Sequence, residues 1–196
     1  MQTPSFPPAL AFTHVFGYGS LVNLRTHAHA DARPVQVTGW RREWRATTLR
    51  QLAFLSVTPD PGCSIAGLTA RVAEADWPAL DRREAAYDRV SLPPESLTPG
   101  VDGHVAIYAI PPGGGPALED HPILLSYLDV VVQGFLDHFG PDGAAAFFDT
   151  TTGWQAPVLD DRAAPLYPRA QPVLPETGVL VDAALARRKV RRIAAG

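Results

Sequence analysis

The sequence predicts an α+β domain, on three observations. Strand-like segments crowd residues 13–110, helical periodicity is strongest at 123–139, and strands and helices do not alternate as a doubly wound sheet requires. A chain of 196 residues fits a single domain. Residues 12–112 read as a β-rich core, and 113–196 as a helical, Pro-rich part packed on it.

In order, Met1 to Leu10 carries three prolines and reads as a loose lead-in. A first strand at about Thr13 to Tyr18 enters the loop Gly17-Tyr18-Gly19-Ser20, and Leu21 to Ala30 stays ambiguous between turn and helix. Pro34 to Trp40 and Glu43 to Leu49 read as two strands around a turn near Gly39-Trp40-Arg41. Leu52 to Thr58 is a further strand, stopped by Pro59-Asp60-Pro61-Gly62, and Ser64 to Val72 is the next. Asp76 and Pro78 then open a short helix, Trp77 to Tyr87. Strands return at Arg89 to Leu92, broken by Pro93-Pro94, and at His104 to Ile110. The tract Pro111-Pro112-Gly113-Gly114-Gly115 is a surface loop. Leu124, Leu128, Val131, Phe135 and Phe139 recur at helical spacing across Ile123 to Phe139, and Gly140-Pro141 ends that run. Asp142 opens a short turn through Ala146, Trp154 to Leu174 is irregular, and Asp182 caps a last helix through Arg192.

Composition narrows the function classes. Hydrophobic residues make up 46% of the chain and four are Trp, enough for a core. No apolar run reaches membrane-span length, and the N-terminus lacks a basic region followed by an apolar one. These features predict a soluble, cytoplasmic protein without a membrane partner. Cys63 is the only cysteine, so an internal disulfide and a thiolate metal cluster are excluded. A net charge of −3 offers no global attraction for nucleic acid. The basic run Arg187, Arg188, Lys189, Arg191 and Arg192 reads as the solvated last turns of a helix, or as a tail that docks a partner.

Two features carry candidate chemistry. Gly17 and Gly19 tolerate positive φ and let another group approach the main chain, while Ser20 offers a hydroxyl or a cap. The loop is therefore either a bend or a backbone-lined cradle. The second feature is Glu84. At about 100° per residue it lies about 40° from Leu80 and inside the stripe Trp77, Leu80, Tyr87. A carboxylate on an apolar face is costly unless paired or functional, and its burial raises its pKa toward proton-shuttle range. Pairing with a nearby Arg and a catalytic role both fit. His27 and His29 supply only two candidate ligands, too few for a metal site. Ser20 lies outside a G-x-S-x-G elbow, and the Gly loop is no dinucleotide fingerprint.

The ordered set Phe16-Gly17-Tyr18-Gly19-Ser20-Leu21, Gly39-Trp40-Arg41-Arg42, Leu80-Asp81-Arg82-Arg83-Glu84 and Tyr87-Asp88-Arg89-Val90 resembles the gamma-glutamylcyclotransferase-like superfamily. The first segment is most similar to the branch acting on glutathione, and the E-x-x-Y-x-R wording to the branch acting on γ-glutamyl amines. The resemblance implies a small mixed β-barrel flanked by helices, with the C-terminal third as an extension. It implies a γ-glutamyl compound as substrate, held by Val15, Phe16, Gly17, Tyr18, Gly19, Ser20, Leu21 and Tyr87, with Glu84 as the acid/base. It implies no cofactor and no metal, and the protein is expected as a monomer or homodimer. A binding or regulatory protein that kept the loop without turnover is the alternative. Tyr87 is either a hydrogen-bonding partner of the site or a core aromatic with a wet hydroxyl.

Overall fold

The computed structural model describes residues 11–194, so the expected lead-in at Met1 to Leu10 lies outside the described residues. Strand β1 (His14–Gly17) lies antiparallel to β3 (Ala53–Arg71) and parallel to β6 (Val105–Ala109). β2 (Ala30–Ala46) pairs with β3 along nearly its whole length. β4 (Asp88–Leu92) closes one edge against β6, and β5 (Leu97–Thr98) lies on β2 at the other. The strand order is β4-β6-β1-β3-β2-β5, and the short β8 (Thr151–Thr152) also joins β2. This mixed sheet curls as a half-barrel, in line with the α+β reading and with the mixed β-barrel that the resemblance implied. A second sheet of three short strands places β9 (Val158–Asp160) between β7 (Ile123–Leu124) and β10 (Arg192–Ala194).

The two longest strands correct the sequence reading. Residues 34–49 do not fold back at Gly39. β2 runs straight through, because the four residues Asp60 to Cys63 bulge opposite Gly39, between the pairs Thr38–Ser64 and Trp40–Pro59. The turn signal at Pro59 to Gly62 is spent on that bulge, where Asp60 accepts from the Gly62 amide at 3.0 Å and Arg41 at 2.6 Å.

Strand alternation divides the core. Phe16 belongs to the main cluster with Val35, Leu55, Ile65 and Ile107, covered by α2 (Leu125–Asp149) and α3 (Pro175–Arg187). Val15 points the other way, into a smaller cluster under α1 (Trp77–Arg83), where it meets Trp77, Leu80 and Tyr108. α1 is shorter than predicted: Glu84 is its C-cap, and Tyr87 lies beyond it in a turn closed by Tyr87 N–H to the Glu84 carbonyl at 2.8 Å.

The first run of α2 ends at Gly140 (φ 66°), as expected, and the chain re-enters a helix at Pro141 that continues to Asp149. Residues 123 and 124 form β7 instead of its first turn. α3 starts at Pro175, not Asp182. Pro175 stands in its first turn, where a proline fits, so Asp182 falls inside the helix and pairs with Arg162 and Arg192, and Arg192 itself lies in β10. Arg188 likewise pairs with Asp149, so the terminal basic run is partly consumed within the fold.

Helix α2 backs the turn that follows β1. Asn23, 1% exposed, donates to the Val130 carbonyl at 3.0 Å, and a Cβ on Gly134 would sit 2.7 Å from the Asn23 nitrogen. Gly134→Ala is therefore expected to cost about 1–3 kcal/mol. A urea midpoint equal to that of the parent would show that the turn yields without cost.

Candidate active site

After β1 the chain enters two 3-10 turns, Ser20–Val22 and Leu24–Thr26. Neither Gly17 nor Gly19 takes positive φ; Gly19 sits at φ −122°, ψ −130°. Their requirement is space. A Cβ at Gly17 would overlap the Leu21 Cβ at 2.4 Å, and one at Gly19 would meet the Tyr127 hydroxyl at 2.7 Å. The loop is held from behind by Arg42, whose Nε donates to the Tyr18 carbonyl at 3.0 Å. Its other guanidinium nitrogens bind Thr150 and the Ala66 carbonyl, and its Cζ lies 4.9 Å from the Phe135 ring and 5.3 Å from the Phe147 ring.

An inner cavity of about 40 Å³ lies between this loop and Glu84. Phe16, Gly17, Tyr18, Gly19, Ser20, Leu21, Glu84 and Tyr87 all line it, so the structure brings the expected residues together with one exception. Val15 is that exception, because strand alternation points it at α1 on the opposite face. Leu55, Tyr108 and Tyr127 complete the wall and were not read from the sequence. Tyr127 sits in the first turn of the covering helix, where its spacing marks only a packed helix face. Leu55 reads as a buried strand residue.

Glu84 is paired with an Arg, as one of its two readings had it, and it also lines the cavity. Its Oε1 lies 3.1 Å from Arg83 Nε, and it faces the loop across the cavity with 19% of its side chain exposed. Burial pushes its carboxyl above the usual range, against the pull of Arg83 and then of Arg169. Arg83 also reaches the Ser20 hydroxyl at 3.3 Å and the Thr26 carbonyl at 3.4 Å. One guanidinium thus ties the carboxylate to the loop, and Ser20 accepts from it instead of capping a helix. The tyrosines around Glu84 are neutral donors: burial raises the pKa of Tyr18, Tyr87 and Tyr127. Tyr18 donates to the Tyr108 carbonyl at 2.6 Å, and Tyr87 to the Leu55 carbonyl at 2.9 Å.

A larger cavity of about 470 Å³ adjoins the inner one. Ser20, Leu55, Glu84, Tyr87 and Tyr127 line both, so Glu84 stands at the junction. The outer walls are the turn between β2 and β3, the end of α1, and residues 166–169.

The imidazoles of His27 and His29 lie 5.0 Å apart, but His27 is already committed. Its Nδ1 accepts the His29 amide at 3.2 Å, which leaves Nε2 to donate to the Leu21 carbonyl at 2.9 Å. Among the described residues no three His, Cys, Asp or Glu converge as a metal site, and no helix is long and apolar enough to cross a membrane.

No protein-family model and no curated protein matches the sequence. Solved structures do. An uncharacterized human protein superposes with a TM-score of 0.55 at 13% identity, covering 87% of this chain and 98% of that one. YkqA from Bacillus subtilis gives 0.54 at 14%, covering 69% of this chain and 52% of that one. A gamma-glutamyl cyclotransferase gives 0.52 at 13%, covering 88% of this chain and 99% of that one. The chain has the gamma-glutamyl cyclotransferase-like fold. In this chain the loop after β1, an interior strand of the sheet, and the end of α1 both line the inner cavity.

Proposed function

We propose that the protein is a cofactor-independent cyclotransferase that converts a γ-glutamyl compound to 5-oxoproline and a free amine. The observation that carries this reading is a buried, proton-hungry carboxylate, Glu84, facing a backbone-lined loop across a cavity.

The inner cavity by itself has room for a few waters. The γ-glutamyl group accordingly spans from the loop to the junction, with the scissile amide beside Glu84 and the leaving group in the outer cavity. Main-chain groups of Gly17 to Leu21 hold the glutamyl end, and Tyr87 forms a wall beside the reacting amide. The α-amine attacks its own γ-carbonyl, so one N–C bond forms within the molecule, the amide C–N bond breaks, and no co-reactant is needed. Glu84 as carboxylate takes a proton from the α-ammonium and delivers one to the departing nitrogen. Holding the substrate curled supplies much of the rate, because ring closure is intramolecular.

Incubation with a panel of glutathione, γ-glutamyl dipeptides and γ-glutamyl amines tests the reaction. Stoichiometric 5-oxoproline and free amine from at least one member is expected. Tight binding of 5-oxoproline without turnover of any member would instead indicate a binding protein.

The pH profile follows from the site. Only the ionised carboxylate accepts the α-ammonium proton, so kcat/KM falls on the acid side as Glu84 is protonated. Burial displaces that limb above the ordinary carboxylate value of 4.5. Arg83→Met removes the leading opposing charge and is expected to move the limb further up. A limb at or below the ordinary value, or one that Arg83→Met leaves in place, would contradict Glu84 as the base.

A further inference from the structure

The outer cavity carries more positive charge than the chemistry at Glu84 uses. Around it stand Arg50 from the turn between β2 and β3, Arg82 and Arg83 from α1, and Arg169 from the segment after β9. Glu84 is the only acid in the lining, and it is engaged by Arg83. Among the described residues, Arg50, Arg82 and Arg169 form no ion pair. Phe54, Leu124, Tyr127 and Tyr167 supply an apolar and aromatic floor beneath them.

Arg169 stands on anchored backbone. Buried Asp161 accepts from the Ser126 amide at 2.8 Å and from the Leu166 amide at 2.9 Å, and the Ser126 hydroxyl accepts from the Tyr167 amide at 3.3 Å. The Tyr167 ring meets Tyr127 edge-on at 5.0 Å, and the Ala170 amide closes a turn onto the Tyr167 carbonyl at 3.0 Å. The neighbouring Arg162 is clamped by both oxygens of Asp129 and by Asp182. Three unpaired guanidinium groups from three elements thus surround one mouth. Such a mouth attracts anions and repels a second cation, and guanidinium matches a carboxylate in a two-pronged hydrogen bond.

We propose that the outer cavity is a subsite for an anionic leaving group. The amine expelled from the γ-glutamyl compound is an amino acid or short peptide whose free carboxylate is held by Arg50, Arg82 and Arg169. This rests on the cyclotransferase reading and narrows it: polyamines and other cationic amines are poor leaving groups here. The departing amine takes its proton from Glu84 at the junction, and its carboxylate leaves through the arginine-lined mouth.

The test compares γ-glutamyl-alanine, γ-glutamyl-alaninamide and γ-glutamyl-putrescine at a pH above the acid limb of the kcat/KM profile. The acid form is expected to exceed the amide in kcat/KM by about tenfold or more, through KM, with the putrescine compound poorest. In Arg50→Gln/Arg169→Gln the acid-to-amide ratio falls toward one. Equal kcat/KM for acid and amide, or a ratio that the double variant leaves unchanged, overturns the subsite. Calorimetry of the same ligands on Glu84→Gln separates the two claims. If no compound is cyclised but the acid form still binds tighter and loses that margin in the arginine variants, the subsite stands and the reaction falls. Neither turnover nor a binding preference overturns both.

Discussion

Glu84→Gln reduces kcat for 5-oxoproline release by about 10³-fold while leaving the fold at least as stable. The stability half of this prediction has a definite sign. Burial raises the folded-state pKa of Glu84 above its unfolded value. Such a group stabilises the fold when protonated, and that contribution is lost as pH rises through the folded pKa. Above that folded pKa the ionised side chain therefore opposes folding, with Arg83 offsetting part of the cost. Gln keeps the shape and removes the charge, so the melting temperature is expected to stay level or rise. A loss of activity with a clear drop in melting temperature would instead mark Glu84 as a structural ion-pair partner.

The second large effect concerns Arg42, which is 1% exposed and has no acidic partner among the described residues. Burial holds its pKa below the usual guanidinium value, so keeping the charge inside carries a real cost. That cost is offset by hydrogen bonds to Tyr18, Ala66 and Thr150 and by two aromatic faces. Arg42→Ala removes all of these and opens a void beside Phe135 and Phe147. A loss of about 3–5 kcal/mol is expected from urea unfolding. Arg42→Met refills much of the volume but strands the Tyr18 and Ala66 carbonyls, so it is expected to recover part of the stability and little activity. Full activity in Arg42→Met would show that the loop does not depend on its anchor.

The two halves of the inner site were legible in the sequence for different reasons. Glu84 stood out because a carboxylate interrupts the stripe Trp77, Leu80, Tyr87. The stripe is real for Trp77 and Leu80, both buried, yet Tyr87 reaches the cavity from a turn beyond the helix end. The loop was visible through its glycines, although the space beside Leu21 and Tyr127, not positive φ, is what demands them. Arg42 was quoted only as part of a pattern, since nothing local shows that a strand arginine will be enclosed by α2. Tyr127, Tyr167 and Arg169 were out of reach for the same reason. Their place depends on how residues beyond 113 fold back over β3, a relation between distant segments that periodicity does not encode.

Strands followed the same division. Local apolar runs gave β1, β4 and β6 nearly to the residue. Continuity of β2 and β3 through Gly39 and Pro59 depends on their pairing with each other, so it surfaced only in the fold.

The most direct test of the central claim is a structure of Glu84→Gln with γ-glutamyl-alanine bound. The account predicts the glutamyl end against Gly17 to Ser20. It predicts the side-chain amide at position 84 within hydrogen-bond reach of both the α-nitrogen and the scissile nitrogen. The alanine carboxylate should lie among Arg50, Arg82 and Arg169. A substrate seated away from the loop, or with its scissile amide out of reach of position 84, would contradict it.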